Sequence, residues 1–279
     1  MNMKKKFLAL MLFVMLVPAS SILAQTTRYN LSAFRPELVN PAYRFQDKLV
    51  DINVLYALPD EYKVQNIGLN AHSQFLDNMG IGLRANYGFP SDARNTVTGG
   101  LSYNYNLNLN DDMDIIFAIG GGVDYWMYKN TAADTKDVIN PYGEIGIAYR
   151  WTNLYIGLSA LAYFGEDNTN VDLTVTARYD FNLGAGFYLA PLVAYTMESN
   201  YIGDSPFHGQ LEGGVLARYN KWAELGATYT DINRMNIYAS VWASDYGRVF
   251  YNCSLGISEQ QTNYNKALHE VGIRFYLNR

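Results

Sequence analysis

Few side chains in this sequence could act as a base, a nucleophile or a metal ligand, and they are widely separated. His72, His208 and His269 lack the close spacing by which metal ligands share one site, and none has a context that singles out a serine partner. Cys253 is the single cysteine, so no intramolecular disulfide can form. The glycine run 120–122 lacks the Gly-Lys-Ser/Thr of a phosphate-binding loop. The sequence therefore predicts no catalytic site, no metal and no cofactor.

The segments that carry these residues alternate in polarity with a period of two. Between Thr96 and Asn110, odd positions hold Val, Gly, Leu and Tyr, whereas even positions hold Thr, Gly, Ser and Asn. Residues 79–87 and 173–179 repeat the alternation. A strand separates two such sets onto opposite faces, whereas a helix scatters them around its circumference. The pattern predicts an all-β protein.

Fourteen strands follow from this alternation, and several are about ten residues long, the length of a tilted membrane strand. Tight turns, one of them at Asp180–Asn182, alternate with longer polar segments, which is typical of outer-membrane barrels. An even strand count places both mature termini on the short-turn, periplasmic side. The predicted strands are 51–57, 63–72, 79–87, 96–109, 114–126, 142–150, 154–163, 172–180, 183–195, 210–220, 222–229, 235–243, 249–258 and 269–277.

The first 24 residues have the features of a secretory signal peptide. Lys4–Lys6 form a basic start, and the apolar run Phe7–Val17 is too short for a membrane-spanning helix. Ala24 supplies the small residue before the expected cleavage site. Cleavage removes three of the 21 basic side chains and none of the 26 acidic ones, so the mature chain is acidic. This charge argues against a nucleic-acid partner, whose phosphates require a basic surface.

Alternation is compatible with a soluble barrel that is apolar inside and with a membrane barrel that is apolar outside. The polar face here is rich in Gly, Asn, Ser and Thr but sparse in charge, unlike a solvated exterior, and about 14 strands enclose too much space for a side-chain core. We therefore predict a transmembrane antiparallel β-barrel with lipid against its apolar face. Its lumenal charges either form an internal ion-pair network, which is favoured, or set the selectivity of a channel. They are Arg84, Asp124, Glu144, Arg150, Arg178, Glu212, Arg218, Glu224 and Arg274.

Residues 25–50 precede the first predicted strand and are too few for a domain. Pro36 and Pro41 disfavour a regular element there. The aromatic residues of this segment nevertheless indicate that it packs against something, because disordered segments are poor in them. We expect it to fold against the inner wall or the periplasmic rim of the barrel, with Asn40 and Tyr43 hydrogen-bonded.

Two short motifs stand near the ends of the mature chain. The first is the tetrad Asn40, Pro41, Ala42 and Tyr43, and the second is the His269-Glu270 pair that opens the last predicted strand. Both resemble motifs of the PorP/SprF family of type IX secretion system membrane proteins from Bacteroidetes. The chain departs from the family pattern at Arg44-Phe45, where members carry a glycine and small residues, and at Leu277–Arg279, which follow the usual final aromatic residue.

The resemblance implies a non-enzymatic outer-membrane component that helps type IX cargo, such as surface adhesins, to reach or stay on the cell surface. It also implies contacts with periplasmic parts of the secretion apparatus. The alternative function is an outer-membrane channel for small solutes, and a lumen filled by residues 25–50 would favour the first function over the second. The expected organisation is a signal peptide at 1–24, a periplasmic or lumenal segment at 25–50 and the barrel at 51–279.

Overall fold

The computed structural model describes residues 33–44, 48–57, 65–89, 94–128, 137–165, 169–198, 208–220, 222–257 and 267–278. The predicted signal peptide at 1–24 lies outside these residues, as does much of the longer polar segments between strands. Within the described ranges, no helix is long and apolar enough to cross a membrane.

Strands make up most of the described chain, and they follow the sequence alternation closely. Their bounds lie within a few residues of the predicted ones, and β1 begins at Lys48, three residues before the predicted start at Asp51. The strands are β1 (Lys48–Ala57), β2 (Gln65–Leu76), β3 (Met79–Phe89), β4 (Arg94–Asn110), β5 (Met113–Tyr128), β6 (Val138–Trp151), β7 (Leu154–Phe164), β8 (Thr169–Tyr179), β9 (Phe181–Gly184), β10 (Phe187–Glu198), β11 (His208–Tyr219), β12 (Ala223–Thr230), β13 (Arg234–Ser244), β14 (Gly247–Gly256) and β15 (Ala267–Asn278).

The sheet closes on itself as a barrel. Successive strands pair antiparallel, and β1 pairs with β15 so that Lys48 lies opposite Asn278. Fourteen strands form the closed ring, which matches an outer-membrane barrel of that size, and the four-residue β9 pairs with β10 beside it. Each of the fourteen described ring strands pairs on both sides, so the ring has no open strand edge and its backbone polar groups are satisfied where the wall faces lipid.

The predicted tight turn at Asp180–Asn182 is wrong. The chain continues through β9, and the turn to β10 lies at residues 185–186. There Gly184, Ala185 and Gly186 have φ angles of 86°, 49° and 81°. Glycine adopts this left-handed conformation without a steric penalty, so the Gly-Ala-Gly run determines the turn. Asp180 instead stays beside the wall, where its carboxylate accepts two hydrogen bonds from the Arg178 guanidinium, at 2.6 and 2.8 Å.

Apolar side chains cover the outside of the barrel, and polar side chains line its interior. On the outer face, Leu101 and Ile119 are 67% and 62% exposed, whereas Asn104 and Asn252 on the inner face are fully buried. Lipid solvates an apolar exterior at no hydrophobic cost, and the inward amides are hydrogen-bonding groups that would be costly in lipid. The apolar-out orientation predicted from the sequence is confirmed.

The two ends of the barrel differ in their connections. β1 begins and β15 ends at the end where the tight turns lie, which we call the short-turn end. The connections at the opposite end are longer, apart from the three-residue turn 231–233 between β12 and β13. The turns at the short-turn end comprise residues 77–78, 111–112, 152–153, 185–186, 220–222 and 245–246.

Candidate functional site: a segment docked across the lumen

Residues 33–44, which we call the lumenal segment, lie inside the barrel. They form two 3-10 turns, η1 (Pro36–Leu38) and η2 (Pro41–Arg44). Each turn begins with a proline, whose missing N–H costs no hydrogen bond at that position. Between them, the side-chain carbonyl of Asn40 accepts a hydrogen bond from the backbone N–H of Ala42 at 2.9 Å. The expected packing of a short N-terminal segment in the lumen is confirmed.

Phe34 anchors one end of the lumenal segment. Its ring stacks on that of Tyr238 in β13, with centroids 5.0 Å apart and planes inclined by 17°. Gly226 in β12 makes room for the ring, because a Cβ at that position would lie only 2.5 Å from Phe34 Cε1. Full burial of a phenylalanine side chain contributes about 1.5–3 kcal/mol. This contact alone therefore favours docking over a free tail.

A buried group of ion pairs holds the residues that follow. Arg35 donates from Nε to Glu37 Oε1 and from Nη2 to Asn53 Oδ1, both at 2.5 Å. Arg274 in β15 donates from Nε to Asp51 Oδ1 in β1 at 2.8 Å and from Nη1 to Glu37 Oε1 at 3.4 Å. Burial alone raises the pKa of Glu37, but the charges of Arg35 and Arg274 outweigh it and lower that pKa from 4.5 to about 2. Glu37 is therefore ionised at neutral pH, and it ties the segment to β15.

Asn40 fixes the segment to the opposite wall. Its Nδ2 donates to the backbone carbonyls of Ile147 in β6 and Leu158 in β7, at 3.3 and 3.2 Å. Asn104 in β4 donates from its Nδ2 to the carbonyl of Pro41 at 2.5 Å. The amide supplies two N–H donors for the two wall carbonyls and a carbonyl acceptor that closes the turn onto Ala42, whereas a hydroxyl has only one donor. This double use gives a physical reason for asparagine at the first position of the tetrad.

Two wall glycines provide the space in which the tetrad lies. A Cβ at Gly146 in β6 would lie 3.0 Å from two ring carbons of Pro41, and closer still to Asn40 Oδ1. A Cβ at Gly157 in β7 would lie 2.8 Å from Asn40 Nδ2. Any larger residue at either position would therefore push the segment away from the wall.

The last two tetrad residues combine apolar packing with one hydrogen bond. Ala42 is fully buried, and the Tyr43 hydroxyl accepts a hydrogen bond from Thr176 Oγ1 at 3.4 Å. Burial raises the pKa of Tyr43 to about 12, so the hydroxyl stays neutral. The apolar neighbours of Ala42 are Ile116, Ala118 and Ala148.

Between its two anchors, the segment offers backbone carbonyls to the wall. Arg84 in β3 donates from Nη2 to the Leu38 carbonyl at 2.6 Å, and Ser159 in β7 donates from Oγ to the Val39 carbonyl at 3.1 Å. The anchors lie on β12–β15 and β1 at one end of the segment and on β4–β8 at the other. The segment therefore crosses the lumen from wall to wall.

The nine charged residues predicted to face the lumen lie on the inner wall, and each has a polar or charged partner. Arg84 Nη1 lies 3.6 Å from Glu144 Oε2, and Arg150 Nη2 lies 2.5 Å from Asp114 Oδ2. Asp114 and Arg150 lie on the adjacent strands β5 and β6, whereas Arg84 on β3 reaches Glu144 on β6 across the two strands between them.

Near the short-turn end, Asp180 is shared by two of the predicted arginines. It pairs with Arg178 at 2.6 Å and with Arg218 Nη2 at 3.7 Å. Glu224 pairs with Arg248 Nη1 at 2.8 Å. The described arginines of this end therefore lie beside carboxylates.

Glu212 and Asp124 lie farther from the short-turn end and accept hydrogen bonds from neutral donors. Asn236 donates to Glu212 Oε1 at 2.8 Å. Thr98 and Trp126 each donate to Asp124 at 2.7 Å. The structure thus places none of the nine residues in the lumen without a partner among the described residues.

Several important residues were not predicted from the sequence. Arg35 and Glu37 precede the strands, so alternation says nothing about where they point. Asp51 and Asn53 occupy inward positions of β1, which alternation could have identified. Arg248 was left out of the predicted lumenal charges because the predicted strand began one residue later, at Val249.

Among the described residues, no group of three His, Cys, Asp or Glu side chains could hold a metal ion.

A closed antiparallel barrel with an apolar exterior and a polar, partly filled lumen defines the protein as an outer-membrane β-barrel. The outer membrane protein Omp33 of Acinetobacter baumannii has a similar fold, with a TM-score of 0.53 at 7% identity over 82% of this chain and 98% of that one. OmpF of Salmonella typhi, in complex with daunomycin, matches with a TM-score of 0.40 at 12% identity over 84% and 99%. Likeness at such identity concerns the fold alone.

The family described as type IX secretion system membrane protein PorP/SprF matches residues 23–275. The chain belongs to this family, as its two motifs predicted, and is an outer-membrane β-barrel component of the type IX secretion system. No individual curated protein matches the sequence.

Proposed function

We propose that this protein supports the secretion or surface attachment of type IX cargo proteins through protein–protein contacts, with no catalytic step of its own. The observation that carries the proposal is the lumenal segment, which lies from wall to wall where a solute channel would need open space. The family tetrad, residues 40–43, makes many of the contacts that dock the segment. The motif that identifies the family is therefore also part of what occupies the lumen.

The contacts of the lumenal segment favour a stable closure over a mobile gate. Glu37 and Arg274 are buried, and removal of one partner from a buried ion pair typically costs about 3–5 kcal/mol. Displacing the segment would separate this pair and also expose Phe34 and Ala42. A channel for small solutes, the alternative function, would require that displacement in its conducting state.

The difference between the barrel ends suggests how partners are divided between the two sides of the membrane. We assign the short-turn end, where both ends of the barrel chain lie, to the periplasm, because outer-membrane barrels have short periplasmic turns. Components of the secretion apparatus would then meet the short-turn end, and secreted cargo or adhesins would meet the longer connections at the cell surface. Lipid contacts the apolar exterior.

Replacing residues 33–44 with a Gly-Ser chain of equal length tests this proposal. The barrel should still assemble, because the strand pairing does not include these residues. We expect cargo display at the cell surface and co-purification of apparatus proteins in mild detergent to be lost. A Gly-Ser replacement within the surface connection 129–136 serves as the matched control for chain perturbation.

The readouts distinguish the two candidate functions. Lost display and lost co-purification support the secretion role. Normal display combined with a new membrane conductance would contradict it and favour a regulated solute channel. Unchanged display, co-purification and conductance would mean that the lumenal segment is only a linker.

A further inference from the structure

A cavity of about 400 Å³ remains between the lumenal segment and the short-turn end of the barrel. Its walls include Arg178 and three arginines that each lie two residues from a turn at that end, Arg150, Arg218 and Arg248. Ligand-binding pockets commonly enclose roughly 300–1,000 Å³. The cavity is therefore large enough for a small molecule or for the last residues of a polypeptide.

Positive charge exceeds negative charge around this cavity. Among the described residues that line it, six are arginines and three are carboxylates, namely Glu37, Asp180 and Glu224. Asp180 is shared by Arg178 and Arg218, and Glu37 is shared by Arg35 and Arg274. The described lining of the cavity therefore carries more arginines than carboxylates.

Two donor atoms of the cavity lining also lack acceptors. Arg35 Nη1 and Arg248 Nε have no hydrogen-bond partner among the described residues, and both side chains are more than nine-tenths buried. A buried guanidinium N–H without an acceptor is energetically costly. Arg178 and Arg218, whose side chains keep 25% and 29% of their surface exposed, are the arginines that an anion in the cavity would contact, and the anion would balance the excess charge.

Aromatic rings form much of the remaining lining. Phe34, Tyr43, Tyr155 and Trp242 border the cavity. The Arg248 guanidinium lies over the Trp242 ring at 5.0 Å from its centroid. Such surfaces bind apolar and aromatic groups, whereas the guanidinium forks match the two oxygens of a carboxylate.

We propose that this cavity is a binding site for a carboxylate that carries an apolar or aromatic group, entering from the short-turn end. A free N-acyl amino acid and the C-terminal residue of a partner polypeptide share this chemistry. The site is independent of the secretion role proposed above, because its binding can be measured with the purified protein alone.

Titration of the purified barrel in detergent micelles at neutral pH tests the proposal. The first probe is N-acetylphenylalanine, and its matched control is N-acetylphenylalanine amide, which has the same size but no charge. We expect the acid to bind, with a change in tryptophan fluorescence from Trp242, and the amide to bind about tenfold more weakly or not at all. Equal binding of both probes, or binding of neither, would overturn the proposal.

Two variants locate the binding to this cavity. Arg218→Gln should weaken binding of the acid by about tenfold, and the fold should persist because Asp180 keeps Arg178 as its partner. Arg218→Lys retains the charge and should recover part of the affinity. Arg234→Gln is the control, since Arg234 lies inside the barrel at the opposite end and donates to Ser254. An equal loss of binding in Arg234→Gln would place the site elsewhere.

Further probes distinguish the source of the carboxylate. A short peptide ending in phenylalanine with a free C-terminus should bind more tightly than the single amino acid if a polypeptide is the natural ligand. Weaker binding of the peptide would indicate a small metabolite, and the carboxylate site would stand in either case. Binding of inorganic phosphate without binding of the acid would contradict the assignment.

Discussion

Replacing Gly146 with alanine is a sharp test of how the lumenal segment is held, because the change lies in the barrel wall and leaves the segment itself intact. The new Cβ would lie 3.0 Å from two ring carbons of Pro41 and within overlap distance of Asn40 Oδ1. Contacts this short force a displacement. The strand has little freedom to move, since Gly146 pairs with Ala118 and Ser159 on its two neighbours. The segment must therefore move.

The displacement should break three hydrogen bonds. These are the two from Asn40 Nδ2 to the carbonyls of β6 and β7 and the one from Asn104 to the Pro41 carbonyl. Each contributes a net stabilisation of about 0.5–1.5 kcal/mol, so docking should weaken by about 1.5–4.5 kcal/mol in total. This corresponds to roughly a 10- to 2,000-fold shift toward the undocked segment. The barrel should keep its stability, because alanine is at least as favourable as glycine in a strand.

Thiol labelling measures this shift. A Leu38→Cys reporter in a Cys253→Ser background should react slowly with a membrane-impermeant maleimide while the segment is docked. Gly146→Ala should accelerate labelling strongly. Gly99→Ala is the matched control, because nothing lies within 4 Å of a Cβ at Gly99 in β4. Equal labelling rates in the two alanine variants would refute the role assigned to Gly146.

Three further predictions follow from the barrel and its lumen. Leu101→Arg should destabilise the assembled barrel by about 2–4 kcal/mol if the residue lies near the bilayer midplane, as measured by denaturant unfolding in lipid. An epitope inserted between residues 133 and 134 should be accessible on intact cells, whereas one in the turn 220–222 should not. Acidification from pH 4.5 to about 2 should progressively release the lumenal segment, because its Glu37 has a lowered pKa when docked and binds a proton more readily once released. The effect is on the order of 3 kcal/mol and is present in full above pH 4.5.

Each of these predictions has its own control. Leu101→Ala separates loss of packing from the introduction of charge, and equal unfolding free energies for the two variants would contradict the membrane orientation. Reversed epitope accessibility would place the short-turn end outside the cell. For the pH response, Glu37→Gln should undock the lumenal segment at neutral pH, so that the Leu38→Cys thiol is labelled rapidly. The labelling rate of this variant should then change little between pH 4.5 and 2. An unchanged acid response in that variant would assign the titration to another group.

The sequence by itself determined the strands, the face of each strand and the orientation of the barrel. These features depend on local alternation, since the side chains of Leu101 and Ser102 must point to opposite faces of one strand wherever that strand lies. The local sequence pattern predicted the positions of turns less accurately than those of strands. Asp180 looked like a turn residue, but its ion pair with Arg178 kept it beside the wall, and the left-handed conformations fell on Gly184–Gly186.

The family tetrad was also visible in the sequence, but its function in the fold was not. Asn40 reaches carbonyls more than 100 positions away in the chain, and Glu37 pairs with an arginine near its end. Alternation assigns a side chain to the lumen without specifying its height along the barrel or the residue opposite it. The height of a side chain and the residue opposite it are set by the register of each strand pair and by closure of the ring. Only the closed barrel could therefore show that Gly146 accommodates the segment and that arginines from separate strands surround one cavity.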